Sequence, residues 1–178
     1  MPWDIGEVAP ASPSTPVAGS SSGFFNYEST LAAINPQSDQ WTTLPNNGAG
    51  LLTETRFSPP NVSSMLDTAT GRILLSQLSV GDEVYVRYTL DVIPYINGAT
   101  VSFSNLIGSG AGQYRVPFSI NMQLNDGAGT PTGDFSVDTR FYIRDQNSID
   151  GGLLPQIKVS GGSEVSLSSC YLSVRRRD

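Results

Sequence analysis

The sequence predicts an all-β protein: a jelly-roll or Greek-key β-sandwich with an extended N-terminal arm. Three observations carry this. Val84, Val86, Tyr88, Leu90 and Val92 alternate with Glu83, Tyr85, Arg87, Thr89 and Asp91, the period of two that marks a strand with one buried face. The chain holds 18 Gly and 12 Pro among 178 residues, with only 15% charged, the composition of short strands joined by tight turns. No window sustains a helical period.

Taken in order, residues 1–23 form one segment and residues 24–178 the sandwich domain. Phe24, Phe25 and Tyr27 open the domain as aromatic anchors, and Trp41–Leu44 reads as a short strand. Phe57-Ser58-Pro59-Pro60 cannot lie inside a sheet, because two prolines remove donors. Met65-Leu66 is a brief strand candidate, and Ile73-Leu74-Leu75 is an apolar run. Gly81-Asp82 supplies the turn that launches the Glu83–Ile93 strand, which stops at Pro94.

Thr100–Leu106 is the next strand. The longest alternation follows: Tyr114, Val116, Phe118, Ile120, Met122 and Leu124 on one face, with Pro117 on the other suggesting an edge or bulge. After a loop over 125–134, Phe135, Val137, Thr139, Phe141 and Ile143 alternate against Ser136, Asp138, Arg140, Tyr142 and Arg144. Leu153–Val159 and Val165–Val174 close the domain. The apolar phase slips near Ser168-Ser169, which predicts a bulge or a strand covered on both sides. The expected core includes Val86, Leu90, Phe118, Ile120, Val137 and Phe141. The loops are too long for a hairpin meander, which favours the jelly roll over an up-and-down barrel.

Several chemistries lose support. The chain has no histidine, which removes Ser-His-Asp and Cys-His arrangements and the commonest zinc ligand. No Gly-rich loop precedes a Lys and a helix. Asp126, Asp134, Asp138 and Asp150 are the candidates for a carboxylate pair, but Asp126 and Asp134 read as turn formers, so no catalytic residue is assigned and the expectation is a non-enzyme. The 125–134 loop offers oxygen ligands without EF-hand spacing and reads as a solvated loop, so neither a metal site nor a cofactor is expected. The net charge of −6 argues against a nucleic-acid partner. No apolar stretch approaches the ~18 residues of a membrane span, and no signal-peptide pattern is present. Cys170, the single cysteine, reads as a buried small hydrophobe, in keeping with synthesis in a reducing cytoplasm. Arg175-Arg176-Arg177 reads as a solvated C-terminal end.

The first segment is a different material. Pro2, Pro10, Pro13 and Pro16 lie among Ala, Ser, Thr and Gly, so it is extended or disordered. A loose tail is one reading. Trp3, Ile5 and Val8 favour the other, an arm whose apolar tip docks on a neighbouring protein. Tyr85, Arg87, Arg140, Tyr142 and Arg144 carry a further signal. They point away from the core, and Tyr and Arg are enriched at interface hot spots, so they are expected in subunit contacts rather than on a bare solvent face.

Leu78-Ser79-Val80-Gly81-Asp82-Glu83-Val84, the long strand, the Gly-rich turns and the closing strand through Tyr171-Leu172 resemble the trimeric jelly-roll domains of tailed-phage virion proteins, related in architecture to the tumour-necrosis-factor/C1q sandwich. The resemblance covers roughly residues 24–174. It implies a homotrimer on a virus particle, made in the bacterial host cytoplasm. The role it implies is a capsid decoration (cement) protein on the major capsid protein at the capsid surface. The alternative is a head-fibre or tail-fibre tip binding a host receptor or glycan. The short arm favours decoration, since tail fibres carry long shafts.

Overall fold

The computed structural model describes residues 22–44, 51–54, 57–116, 122–124 and 127–177. Among them are ten strands: β1 (Ser22–Ile34), β2 (Thr42–Thr43), β3 (Leu51–Glu54), β4 (Glu83–Pro94), β5 (Thr100–Ile107), β6 (Tyr114–Val116), β7 (Met122–Gln123), β8 (Phe135–Tyr142), β9 (Leu153–Val159) and β10 (Ser163–Arg175). One sheet has the order β3-β1-β10-β4-β8; the other runs β2-β9-β5-β6, with β7 also pairing β5. After β4 the chain crosses to the second sheet for β5, β6 and β7. It returns for β8, crosses again for β9 and returns for β10, which inserts between β1 and β4. The result is a jelly-roll β-sandwich with antiparallel pairing throughout.

The alternation in β4 forms the strand it predicts, in the interior of its sheet. Val84, Val86, Tyr88, Leu90 and Val92 are each at most 1% exposed. Each such burial contributes roughly 1.5–3 kcal/mol. Across the core, the Tyr88 ring lies 5.0 Å from that of Phe103. Its hydroxyl donates to Asn105 Oδ1 at 3.0 Å, so the one polar atom Tyr88 brings inside is satisfied by the facing sheet.

The phase slip in the last strand is a bulge. Val165 and Leu167 face inward, then Cys170, Leu172 and Val174, with the register against β4 shifting between Leu167 and Ser169. Ser168 is turned out, and its hydroxyl donates to the Thr89 carbonyl at 3.2 Å and to Asp134 Oδ1 at 3.1 Å. The extra residue restores the apolar phase for the second half of the strand.

The run from Tyr114 to Leu124 has its two ends in β6 and β7, both paired to β5, and Phe118 and Ile120 lie outside the described residues. Three expectations change. Phe141 is half-buried, because β8 is the edge of its sheet and the sandwich opens there. A six-residue helix, α1 (Gln146–Gly151), follows β8. It is too short for a period to register, yet it carries its caps: Asp145 accepts from the Ser148 backbone N–H at 2.8 Å and Gly152 follows its last turn. A Cβ at Gly151 would overlap the Gly108 backbone, so glycine lets the helix sit on the loop after β5.

The third change concerns the C-terminal arginines, which are not simply solvated. The turn at Gly81, φ +99, sets the Asp82 carboxylate inside the fold at 1% exposure. Asp82 accepts the backbone N–H of Ser79 and of Arg177, each at 2.9 Å, and the Arg176 guanidinium stands 3.7 Å away.

Candidate functional site

The outer face of the first sheet is built by parity. With Val84 and Val86 facing in, Tyr85 and Arg87 must face out. Register places Arg140 of β8 opposite Tyr85, Asp138 opposite Arg87, and Tyr171 of β10 opposite Arg87 on the other side. Phe24 of β1 faces out beside Phe25, which is fully buried.

These side chains form a continuous aromatic run. Phe57 stacks on Phe24 with centroids 5.0 Å apart, Phe24 lies 5.6 Å from Tyr171, and Tyr171 meets Tyr85 edge-on at 6.2 Å. Two guanidiniums close the run: those of Arg87 and Arg140 stand 5.6 and 5.9 Å from the Tyr85 ring centroid. Such contacts contribute about 0.5–1 kcal/mol each at exposed sites.

The charges are matched locally. Arg140 Nε lies 2.9 Å from Glu83 Oε1, and Arg87 lies 3.7 Å from Asp138 Oδ2. Exposed pairs of this kind stabilise by ~0–1 kcal/mol; their main effect is to fix where the guanidiniums point. The Tyr85 hydroxyl donates to Asp138 at 2.9 Å. Burial, then the Asp138 hydrogen bond, raises the Tyr85 phenol above its ordinary value, against the pull of Arg87. A hollow of about 580 Å3 lies among Ser22, Glu83, Tyr85, Arg87, Arg140 and Tyr171.

Among the described residues, no group of three His, Cys, Asp or Glu stands close enough to hold a metal. Asp134, Asp138 and Asp150 accept from Ser168, Tyr85 and Gln146, three separate partners in separate places. Cys170 is buried, and its thiol is pushed up to about 12 by that burial. The chemistry available on this face is contact: flat aromatic area with oriented guanidiniums.

Of the expected contact residues, Tyr85, Arg87 and Arg140 converge. Tyr142 lies on the same face, opposite Glu83, and is 61% exposed. Arg144 sits past the end of β8. With Tyr142 it lines a second hollow of about 420 Å3, whose walls are Ile107, Tyr114, Val116 and Phe141, at the open edge between β6 and β8. Trp3, Ile5 and Val8 lie outside the described residues. Periodicity did not single out Phe24, Phe57 and Tyr171. Parity against the buried Phe25 and Leu172 places Phe24 and Tyr171 outward; no pattern places Phe57, which precedes Pro59-Pro60.

No family model matches the chain, and no curated protein matches it. Solved structures do. The tumour-necrosis-factor protein Eiger of S. frugiperda superposes with a TM-score of 0.51 at 11% identity, covering 88% of this chain and 94% of that one. The PRD1 vertex protein P5 gives 0.45 at 13% identity, covering 88% and 73%. The CBM22-1 xylan-binding domain from Paenibacillus barcinonensis Xyn10C gives 0.44 at 8% identity, covering 88% and 97%. At these identities the first similarity speaks for the sandwich fold alone, and the other two are weaker.

Proposed function

We propose that this chain is a structural virion protein. In this reading it is a homotrimer that decorates the head of a tailed phage, held to the major capsid protein by its N-terminal arm and the base of its domain. The observation that carries the reading is the run Phe57, Phe24, Tyr171 and Tyr85, flanked by Arg87 and Arg140, on an outward sheet face. Aromatic side chains bury 150–250 Å2 each, roughly 4–6 kcal/mol at ~25 cal/mol/Å2 before association costs.

A ring of three identical subunits needs two different, complementary patches on each copy. The aromatic face is one. The apolar hollow at the open β6–β8 edge is the other, and covering it also protects a sheet edge. The arm supplies attachment. Trp3, Ile5 and Val8 have no place in the alternating strands, prolines lower the cost of ordering an extended segment, and three arms per ring add avidity.

The test is to delete residues 1–21, which leaves β1 whole, and mix the product with particles lacking this protein. The truncated chain stays a folded oligomer and no longer decorates the particles, and Trp3→Ala lowers occupancy. Full occupancy by the truncated chain would show that the arm does not anchor it.

A further inference from the structure

Three of the arm's prolines repeat at a spacing of three: Pro10, Pro13 and Pro16, with Ala11, Ser12, Ser14 and Thr15 between them. A polyproline II helix has three residues per turn, so in that conformation the three prolines fall on one side. The stretch lies outside the described residues. It joins the domain through Ser22, and Ser22 itself lines the hollow of about 580 Å3 on the outer face of the first sheet.

That hollow has the form of a slot. In the ladder, Ser173 of β10 lies between Phe24 of β1 and Tyr85 of β4. A small side chain flanked by two rings leaves space above itself, and Ser173, Tyr85 and Tyr171 all line the hollow. Phe57 continues the aromatic border on the β1 side, and it is 54% exposed although it stacks on Phe24. Arg175 pairs with Ser22 in the ladder and lines the same hollow. Arg87 and Arg140 are each matched by an acid; Arg175 has no carboxylate partner among the described residues.

We propose that Pro10–Pro16 lies across the outer face of its own subunit as a polyproline II segment, with its prolines seated in this slot and along the aromatic border. Aromatic-lined grooves are the chemistry that recognises such segments. The rings of Phe57, Phe24, Tyr171 and Tyr85 follow one another at 5.0, 5.6 and 6.2 Å. That run is comparable to the roughly 19 Å that Pro10–Pro16 spans at ~3.1 Å per residue. A polyproline II segment makes no internal hydrogen bonds, so its carbonyls take donors from outside, and the Arg175 guanidinium offers them. Residues 17–21 span at most roughly 17 Å, enough to turn back from Ser22 to the slot that it lines. So short a link keeps the effective concentration high, and the prolines lower the cost of ordering. Trp3, Ile5 and Val8 stay beyond the seated stretch, so the arm keeps its proposed role while its middle is fixed on the domain.

The experiment attaches a nitroxide spin label at Ser14→Cys in the full chain. Cys170 is buried and its thiol is pushed up to about 12, so at neutral pH the label goes to the introduced site alone. The labelled, isotope-enriched chain is diluted into plain chain, and its amide signals are compared with the nitroxide intact and reduced. The signals of Phe24, Tyr85 and Ser173 are lost while the nitroxide is intact, and those of Gln156 and Lys158 on the second sheet persist. Replacing Pro10, Pro13 and Pro16 together by Ser restores the lost signals without altering any described residue. Ser173→Phe fills the slot and restores them too, with melting temperature recorded alongside. The proposal is overturned if the signals are not lost, or if they stay lost in the proline variant or in a folded Ser173→Phe variant. It is also overturned if the loss appears only when label and isotope are on different chains, which would put the segment on a second copy. The proposal does not rest on trimer formation: sedimentation reads that separately, and a monomer that shows the signal loss would contradict the trimer and leave the seated segment standing.

Discussion

The Asp82 carboxylate accepts the backbone N–H of Arg177 at 2.9 Å, tying the turn before β4 to the chain beyond β10 across 95 residues. The same carboxylate holds the Ser79 N–H and faces Arg176. Removing it takes the acceptor from two part-buried backbone donors and the partner from Arg176, and leaves a hollow where the carboxylate sat. Asp82→Ala therefore lowers stability by about 3 kcal/mol in urea denaturation. Asp82→Asn, which keeps one acceptor oxygen, loses less. An unshifted midpoint for Asp82→Ala would mean this latch does not hold the sheet.

Burial orders the core substitutions. Leu90 is fully buried between two paired strands, so Leu90→Ala lowers stability by ~2–5 kcal/mol. Phe141 sits half-buried at the open edge, with Ile107, Tyr114 and Val116 around a hollow. Phe141→Ala therefore costs the isolated subunit less than Leu90→Ala, despite the larger side chain. The reverse order in paired denaturation curves would place Phe141 in the sealed core.

Alkaline pH separates folded from unfolded protonation. Cys170 titrates near 9.0 when unfolded and at about 12 in the fold, because burial disfavours the thiolate. Tyr88 is raised well above 10.0, chiefly by burial. Above pH 9 the unfolded chain binds fewer protons than the folded one, so stability falls as pH rises. This contribution is fully present below pH 9 and is lost through about 12. Melting temperatures fall over that window, and Cys170→Ala makes the fall shallower. A melting temperature flat to pH 12 would contradict the burial of these groups.

Strand parity made much of this legible in the sequence. The inner face of β4 and the bulge at Ser168 follow from which residues alternate and where the alternation slips. So does the outward placement of Tyr85, Arg87 and Arg140. Parity is blind to what one strand places beside another. The meeting of Tyr171 with Tyr85, and of Trp41 with Arg115, depends on neighbours far apart in the chain. Phe57 sits in no strand at all. The helix at Gln146–Gly151 is too short to show a period, although Asp145 and Gly152 mark its ends. The buried state of Asp82 was hidden for another reason: Gly81-Asp82 looks like any exposed turn until the end of β10 packs over it.

Self-association is the most direct test of the central claim, read by sedimentation of the full chain at micromolar concentration. The account predicts a trimer. It predicts that Tyr85→Ala combined with Arg140→Glu, both on the outer face of the first sheet and away from its core, gives a folded monomer. A wild-type monomer that does not assemble even on particles would contradict the account, as would a trimer that survives both substitutions unchanged.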